Sequence, residues 1–248
     1  MSEKKIMPGG IEKPTDSTTE IIETRYDING NLTETIKRAA TGSLITRSTF
    51  ARDGSGRLAE VLVFNADGSL SPKKVYEYKD GGEERITEEY VYTSADTLIS
   101  KAITAHDAYG KPIEFAAFDA GGKPQMRQVI SYAPTGKVTE IRYFEGQNIQ
   151  IGKTVFAYDT RGGLVSEEIF GPDGSQSSRI TFKGDTLQGT NLTIEEFDST
   201  GRLISKEKSA RDIDLHGNWV KQTKTKLNPE TSQIETIEIT SRTISYYK

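Results

Sequence analysis

The seven residues from Tyr158 to Leu164, YDTRGGL, decide the fold, because their pattern recurs along the whole chain. An aromatic residue precedes three turn-type residues and a Gly, and an aliphatic residue follows two positions after the Gly. An Asp or Asn that opens such a segment, with Gly at its end, is typical of a type I turn followed by a G1 bulge. Each block therefore predicts a β-hairpin loop. The other clear copies are YDINGNL (Tyr26 to Leu32), FNADGSL (Phe64 to Leu70) and FDSTGRL (Phe197 to Leu203).

This loop predicts which residues face each other across the hairpin. The aromatic residue before the turn should lie opposite the aliphatic residue after it. Such aromatic–aliphatic pairs stabilise a ladder by about 0.2–1 kcal/mol each. The predicted pairs are Tyr26 with Leu32, Phe64 with Leu70, and Tyr158 with Leu164.

The spacing of the turns predicts the architecture. Turn residues fall into two interleaved series, and the repeating unit is a hairpin of about 26 residues. Self-similarity at such a period indicates a repeat array. We therefore expect an all-β fold, an elongated antiparallel β-meander of about eight such hairpin repeats that twists or spirals into a curled sheet. One series is Gly30, Gly56, Gly82, Gly110, Gly136, Gly162, Gly189 and Gly217, and the other is Gly42, Gly68, Asp96, Gly122, Asn148, Gly174 and Gly201.

Composition and the N-terminus complete the domain organisation. Hydrophobic residues make up 34 % of the 248 residues and the mean hydropathy is −0.57, which favours a thin sheet over a deep core. Residues 1–20 contain two Pro and a Gly pair and predict a flexible arm. The repeat domain should span residues 21–248. Without the apolar run of a signal peptide or a membrane span, the chain as given should be cytoplasmic, or secreted or on the cell surface if a leader is missing.

The repeated blocks resemble the YD repeats of bacterial Rhs-type proteins, whose unit runs Tyr-Asp-x-x-Gly-Arg/Asn-Leu. The closing segments DIDLHGNWVKQ (Asp212 to Gln222) and SRTISYY (Ser241 to Tyr247) are similar to the final hairpin of bacterial YD-repeat-like proteins. The resemblance covers about residues 21–248 and implies a long, coiling β-meander. Neither the self-cleavage signature nor the toxin domain of the large Rhs proteins is present in this chain.

No residue pattern predicts catalysis, a metal or a cofactor. One carboxylate per turn does not supply the converging oxygen ligands of a calcium loop, so Asp27 and its counterparts should cap turns. His106 and His216, without any Cys, should have structural roles. Glu88 and Glu89 are adjacent in a predicted strand and should point to opposite faces, at a solvated edge. We therefore expect a protein that is not an enzyme.

Two function classes remain open. The first is a structural or protein-interaction module, because a repeat sheet offers a long surface and edge strands that can pair with a partner. The second is binding of an envelope polysaccharide through an aromatic ladder. Rungs 12 or 14 residues apart should share one face, and exposed rings would favour the sugar. A net charge of −4 disfavours nucleic acid. The candidate binding residues are Trp219, Tyr78, Tyr92, Tyr132 and Tyr158.

Overall fold

The computed structural model describes residues 2–6, 17–18, 20–81, 84–186 and 190–242. Every regular element in them is a β-strand, so the predicted all-β class is confirmed. The strands are β1 (Ser2–Ile6), β2 (Ser17–Thr18), β3 (Glu20–Tyr26), β4 (Leu32–Ala39), β5 (Leu44–Arg52), β6 (Leu58–Asn65), β7 (Lys73–Gly81), β8 (Glu84–Tyr92), β9 (Leu98–His106), β10 (Pro112–Asp119), β11 (Pro124–Tyr132), β12 (Val138–Glu145), β13 (Ile149–Tyr158), β14 (Leu164–Phe170), β15 (Gln176–Gly184), β16 (Asn191–Asp198), β17 (Leu203–Ile213), β18 (Trp219–Leu227) and β19 (Ile234–Ser241).

The chain divides into two compact units. The first comprises residues 20–131 and 141–151, and the second comprises residues 1–19, 132–140 and 152–248. In the first unit, each strand from β3 to β10 pairs antiparallel with the next. In the second, the strands from β13 to β19 do the same, and β1 pairs with β19 and β2. The predicted antiparallel meander is therefore confirmed in each unit. The predicted arm 1–20 lies mostly outside the described residues, and its boundary stays a prediction.

The predicted hairpin loop is present in atomic detail. At Asp27 the amide of Gly30 donates to the Asp27 carbonyl oxygen at 3.0 Å, and the Asp27 amide donates to the Asn31 carbonyl oxygen at 2.9 Å. Gly30 has a φ of 80°, a value that glycine adopts without strain. The Asp27 carboxylate accepts from the amides of Asn29 and Asn31. The same two carboxylate contacts recur at Asp53, Asp107, Asp119, Asp159, Asp198 and Asp214.

Two turns show how the pattern varies. Asp96 takes the glycine position with a φ of 59°, as its place in the turn series predicted. Asn148 does not take the corresponding position in its loop, because the residue with a positive φ there is Gly146, at 58°. Gly82 and Gly189 lie outside the described residues.

The predicted cross-strand pairs are confirmed, but the prediction of a single aromatic face is wrong. Tyr26 pairs with Leu32, Phe64 with Leu70 and Tyr158 with Leu164. At most of the described hairpins, however, a second bulge adds one residue, as where Tyr92 pairs with Leu98 but Val91 pairs with Ser100. The β7–β8 and β15–β16 pairs have no such shift. In the β8–β9 pair the additional residue is Ile99, and it shifts the alternation of side chains by one. Even spacing along the chain therefore brings successive aromatic residues to opposite faces.

The sheet is thin, as the composition predicted. Among the described residues, the only hydrophobic side chains that are buried are those of Ile36 and Leu227. More of the buried residues are polar, and three of them are glutamates: Glu34, Glu88, Thr154, Glu195 and Ser209. Charged groups thus occupy the best-shielded positions, and they define the candidate site.

Candidate functional site

A row of glutamates, each held by cations on the neighbouring strands, follows one face of the first unit. We call this face, which carries Glu34, Glu88 and Glu114, the glutamate face. Arg25 and Arg47 both contact the carboxylate of Glu34. Glu88 accepts from Lys79 and Lys101, each at 2.9 Å, and from the Tyr90 hydroxyl at 2.7 Å. Glu114 accepts from Arg127 at 2.7 Å.

The second unit has its own glutamate face, built in the same way. Lys153 donates to Glu140 at 3.1 Å, and Glu195 receives Lys183 at 2.7 Å and Lys206 at 3.1 Å. In four of these contacts the cation follows its glutamate by 13 residues, since the hairpin register brings those positions together: Glu34–Arg47, Glu88–Lys101, Glu114–Arg127 and Glu140–Lys153. We call the glutamates and their cations in both units the charge ladder.

The cations keep these shielded carboxylates ionised. Burial alone would raise the pKa of Glu88, but the hydrogen bonds from the two lysines and Tyr90 outweigh it and hold the pKa at about 2. Hydrogen bonds from Lys183 and Lys206 lower the pKa of Glu195, and the hydrogen bond from Arg47 does the same for Glu34. A charge that is buried but fully paired stabilises the sheet only while both partners remain.

The cations of the charge ladder also lie over aromatic rings. In the first unit the guanidinium of Arg47 is 5.6 Å from the centre of the Phe64 ring, and that of Arg127 is 5.2 Å from the centre of Phe144. In the second, the Lys153 ammonium is 5.3 Å from the Phe170 ring. These distances suit cation–π attraction. The rings are half-buried and have a cation on one face, so they do not form an open stacking platform.

Tyr78 and Tyr92, the candidate residues of the first unit, lie on opposite faces of its sheet. Tyr92 is on the glutamate face, stacked on Tyr90 at 6.3 Å and with Lys73 at 5.7 Å from its ring. Tyr78 is on the other face, where its hydroxyl donates to the Leu58 carbonyl oxygen at 2.8 Å. The guanidinium of Arg57 covers the Tyr78 ring at 4.3 Å. The structure therefore does not bring these two tyrosines into one ladder.

The other three candidates belong to the second unit and are half-buried. Tyr132 ends β11. Tyr158 ends β13, has the Lys137 ammonium 5.6 Å from its ring, and has a pKa raised by burial. Trp219 begins β18, and the Arg242 guanidinium lies 4.1 Å above its indole. Exposed rings were the condition for the polysaccharide alternative, and these half-buried rings do not favour it.

The remaining sequence candidates fall outside any common site. Glu88 and Glu89 point to opposite faces, as predicted, but the solvated position predicted for Glu88 is wrong because this residue is buried. The His106 ring contacts the Arg85 carbonyl oxygen at 3.3 Å. In the part of the chain that the structure describes, no group of three or more His, Asp and Glu side chains is placed to hold a metal ion. No helix there is long and apolar enough to cross a membrane.

Strand β3 offers a different kind of surface. Among the described residues of the first unit, β3 pairs with β4 and with no other strand, so it forms an edge of that unit's sheet. Every residue from Glu20 to Tyr26 is exposed, including the apolar side chains of Ile21, Ile22 and Tyr26 at 43 %, 61 % and 61 %. Its charged residues are already paired along the sheet, Glu20 with Lys37 and Glu23 with Arg38. The outward backbone groups of β3 are thus available to another strand.

Comparison with known proteins adds little. No family model and no curated protein matches this chain. Among solved structures, it is similar to a porin-like protein from Bacteroides uniformis, with a TM-score of 0.44 and 11 % identity over 90 % of this chain and 94 % of that one. It is also similar to TcdB2-TccC3-TEV, with a TM-score of 0.23 and 12 % identity over 90 % of this chain. The chain spans only 16 % of that structure's length.

The charge ladder was missed by sequence reasoning, although a signal for it was present. Glutamates followed by Lys or Arg after 13 residues recur at Glu34, Glu60, Glu88, Glu114 and Glu140. This spacing becomes meaningful only when the hairpin register, including its bulges, is known. Without that register, a glutamate in mid-strand is indistinguishable from a solvated one.

Proposed function

We propose that this protein is a non-enzymatic interaction module, and that an extended segment of a protein partner binds it by adding a strand to β3. The observation that carries the proposal is the fully exposed edge from Glu20 to Tyr26. Strand addition uses main-chain hydrogen bonds for affinity and side-chain contacts for specificity. Both are available at β3, where the exposed side chains of Ile21, Ile22 and Tyr26 lie among charges that are paired along the sheet.

The faces of the sheet support this choice of surface. On the glutamate face of the first unit, the carboxylates of Glu34 and Glu88 are enclosed by their own cations. A partner that bound there would have to displace contacts that already satisfy these charges. At β3, by contrast, a partner strand replaces only water on the backbone groups and buries Ile22 and Tyr26, each 61 % exposed.

The experiment compares capture of partners by edge variants. The tagged chain would be incubated with extract of its source organism, with cytosolic and envelope fractions separate, and cross-linked partners would be identified by mass spectrometry. We expect Thr24→Pro and Ile22→Lys to lower capture of a saturable partner by about tenfold, since proline removes a backbone donor and lysine opposes pairing. Ile204→Lys, at a 42 % exposed position of the second unit, is the matched control and should capture normally.

Hydrogen exchange then locates the contact. Once the partner is identified, its binding should slow exchange of the amides in residues 20–26 more than elsewhere. Equal capture by Thr24→Pro, with no added protection at β3, would contradict strand addition. Retention on envelope polysaccharide, with no protein partner in either fraction, would instead support the carbohydrate alternative.

A further inference from the structure

The charge ladder is interrupted at one position of the second unit. Arg127 in β11, Lys153 in β13 and Arg179 in β15 occupy equivalent places in the repeat, at intervals of 26 residues. Arg127 and Lys153 have a glutamate 13 residues before them, whereas Arg179 has Ser166. Serine lacks a carboxylate, so the ion pair formed by Glu114 with Arg127 and by Glu140 with Lys153 cannot form here.

Two polar atoms are left without partners beside this gap. The Nε of Arg179 and the Oγ1 of Thr181 are both shielded from solvent, and neither has a hydrogen-bond partner in the described part of the chain. Thr181 lies directly opposite Ser166 across the β14–β15 pair, so all three residues share the glutamate face. The Arg179 guanidinium is held 4.9 Å from the Phe197 ring. Buried donors are nearly always paired, and each unpaired one is destabilising.

The neighbouring carboxylates do not fill the gap. Glu195 faces Thr181 from β16, but its carboxylate is taken by Lys183 and Lys206. Glu168 lies opposite Arg179 in the register, yet these two described side chains are not within ion-pair distance. Among the described residues, therefore, no carboxylate is paired with Arg179 or Thr181 at this position of the ladder.

We propose that Ser166, Arg179 and Thr181 form a binding site for a carboxylate, supplied by an Asp or Glu side chain of the protein partner. The arginine Nε–H and a terminal N–H present the fork that matches the two oxygens of a carboxylate, and the threonine hydroxyl adds a third donor. Ser166 has a short hydroxyl side chain at the position where the other repeats carry Glu114 and Glu140. This identification of the partner's chemistry rests on the proposed interaction function.

The site itself can be tested without the partner, using acetate as the probe. The Arg179 Nε–H resonance of the full chain would be followed by two-dimensional NMR during titration with sodium acetate, with sodium chloride at equal ionic strength as the reference. We expect a saturable shift with acetate and none with chloride. Ser166→Glu supplies an internal carboxylate and should abolish the acetate response. Ser166→Gln introduces a side chain of almost the same size as glutamate but without its charge. It should therefore not move the Arg179 Nε–H resonance to the position seen with Ser166→Glu.

Three results would overturn the site. The first is an Arg179 signal that acetate does not move in the wild-type protein. The second is an undiminished acetate response in a folded Ser166→Glu variant. The third is an acetate response that appears only after Glu168→Gln. This result would show that the Glu168 carboxylate is already paired with Arg179 in solution.

The partner provides the second arm. Ser166→Glu should weaken binding of the identified partner at least tenfold, and replacing the responsible acidic residue of the partner by its amide should do the same. Unchanged partner binding by Ser166→Glu, together with a normal acetate response of the wild-type chain, would overturn the assignment of the carboxylate to the partner while leaving strand addition at β3 intact. If neither Thr24→Pro nor Ile22→Lys lowered capture of the partner, that result would count against the proposed function and not against the carboxylate site.

Discussion

Replacing Glu88 by Gln tests whether the charge ladder stabilises the sheet. Glu88 is 4 % exposed and accepts hydrogen bonds from Lys79, Lys101 and Tyr90. Gln is similar in size, so the change removes the charge without creating a cavity. It also leaves two ammonium groups beside a neutral amide, which accepts weakly and brings donors of its own.

The magnitude follows from the contacts. A hydrogen bond to a charged group contributes about 1.5–3 kcal/mol. Glu88 has three such contacts, but both lysines reach solvent, with side-chain exposures of 60 % and 26 %, so they recover much of their hydration. We expect the free energy of unfolding to fall by about 2–3 kcal/mol. In a chain of this size that corresponds to a decrease in Tm of about 4–12 °C.

The pH dependence distinguishes this cause from loss of packing. The pKa of Glu88 is about 2 in the folded protein, against an ordinary value of 4.5, so its charge contributes fully above pH 4.5 and progressively less as the pH falls toward 2. Thermal unfolding followed by circular dichroism at pH 7 and pH 3 should therefore show a smaller difference between wild type and Glu88→Gln at the lower pH. Glu23→Gln, whose side chain is 48 % exposed and 3.5 Å from Arg38, is the control and should change Tm little at either pH.

Either of two results would refute this reasoning. If Glu88→Gln unfolds at the wild-type temperature at pH 7, the buried carboxylate contributes nothing beyond its own desolvation cost. If the difference in Tm is as large at pH 3 as at pH 7, the effect comes from the shape of the side chain and not from its charge.

Three further substitutions test local features of the hairpins by thermal unfolding. Gly56→Ala should lower stability by about 1 kcal/mol because Gly56 has a φ of +81°, whereas Gly54→Ala in the same turn should be neutral or slightly stabilising; equal effects would contradict the assigned turn. Gly152→Ala should cost about 2 kcal/mol, since its Cβ would lie 2.6 Å from the Phe170 carbonyl oxygen, and an unchanged Tm would show that β13 and β14 are spaced differently. Asp198→Ala should lower Tm by a few degrees at pH 7 and by less at pH 2.5, because its hydrogen bonds from Thr200 and Arg202 hold the pKa at about 2; a difference independent of pH would contradict the role of the carboxylate.

The hairpin loops and their cross-strand pairs could be predicted from the sequence because their causes are local. Asp27 binds amides two and four residues on, and Gly30 supplies a positive φ within the same segment. The pair of Tyr26 with Leu32 then follows from the loop geometry. None of these features depends on residues that are distant along the chain, so the repeating pattern was sufficient to give the fold class.

The distribution of residues between faces could not be predicted in the same way, because it depends on a second bulge that has no clear sequence signal. The unpaired position of Ile99 moves Tyr92 and His106 to opposite faces, although they are 14 residues apart. The same shift brings Glu88 beside Lys101, whereas Tyr78 and Tyr92 lie on opposite faces across the β7–β8 pair, whose register has no bulge. The register of each hairpin therefore decides which side chains share a face, and Ser166→Glu, which supplies the glutamate that the charge ladder lacks beside Arg179, tests that arrangement directly.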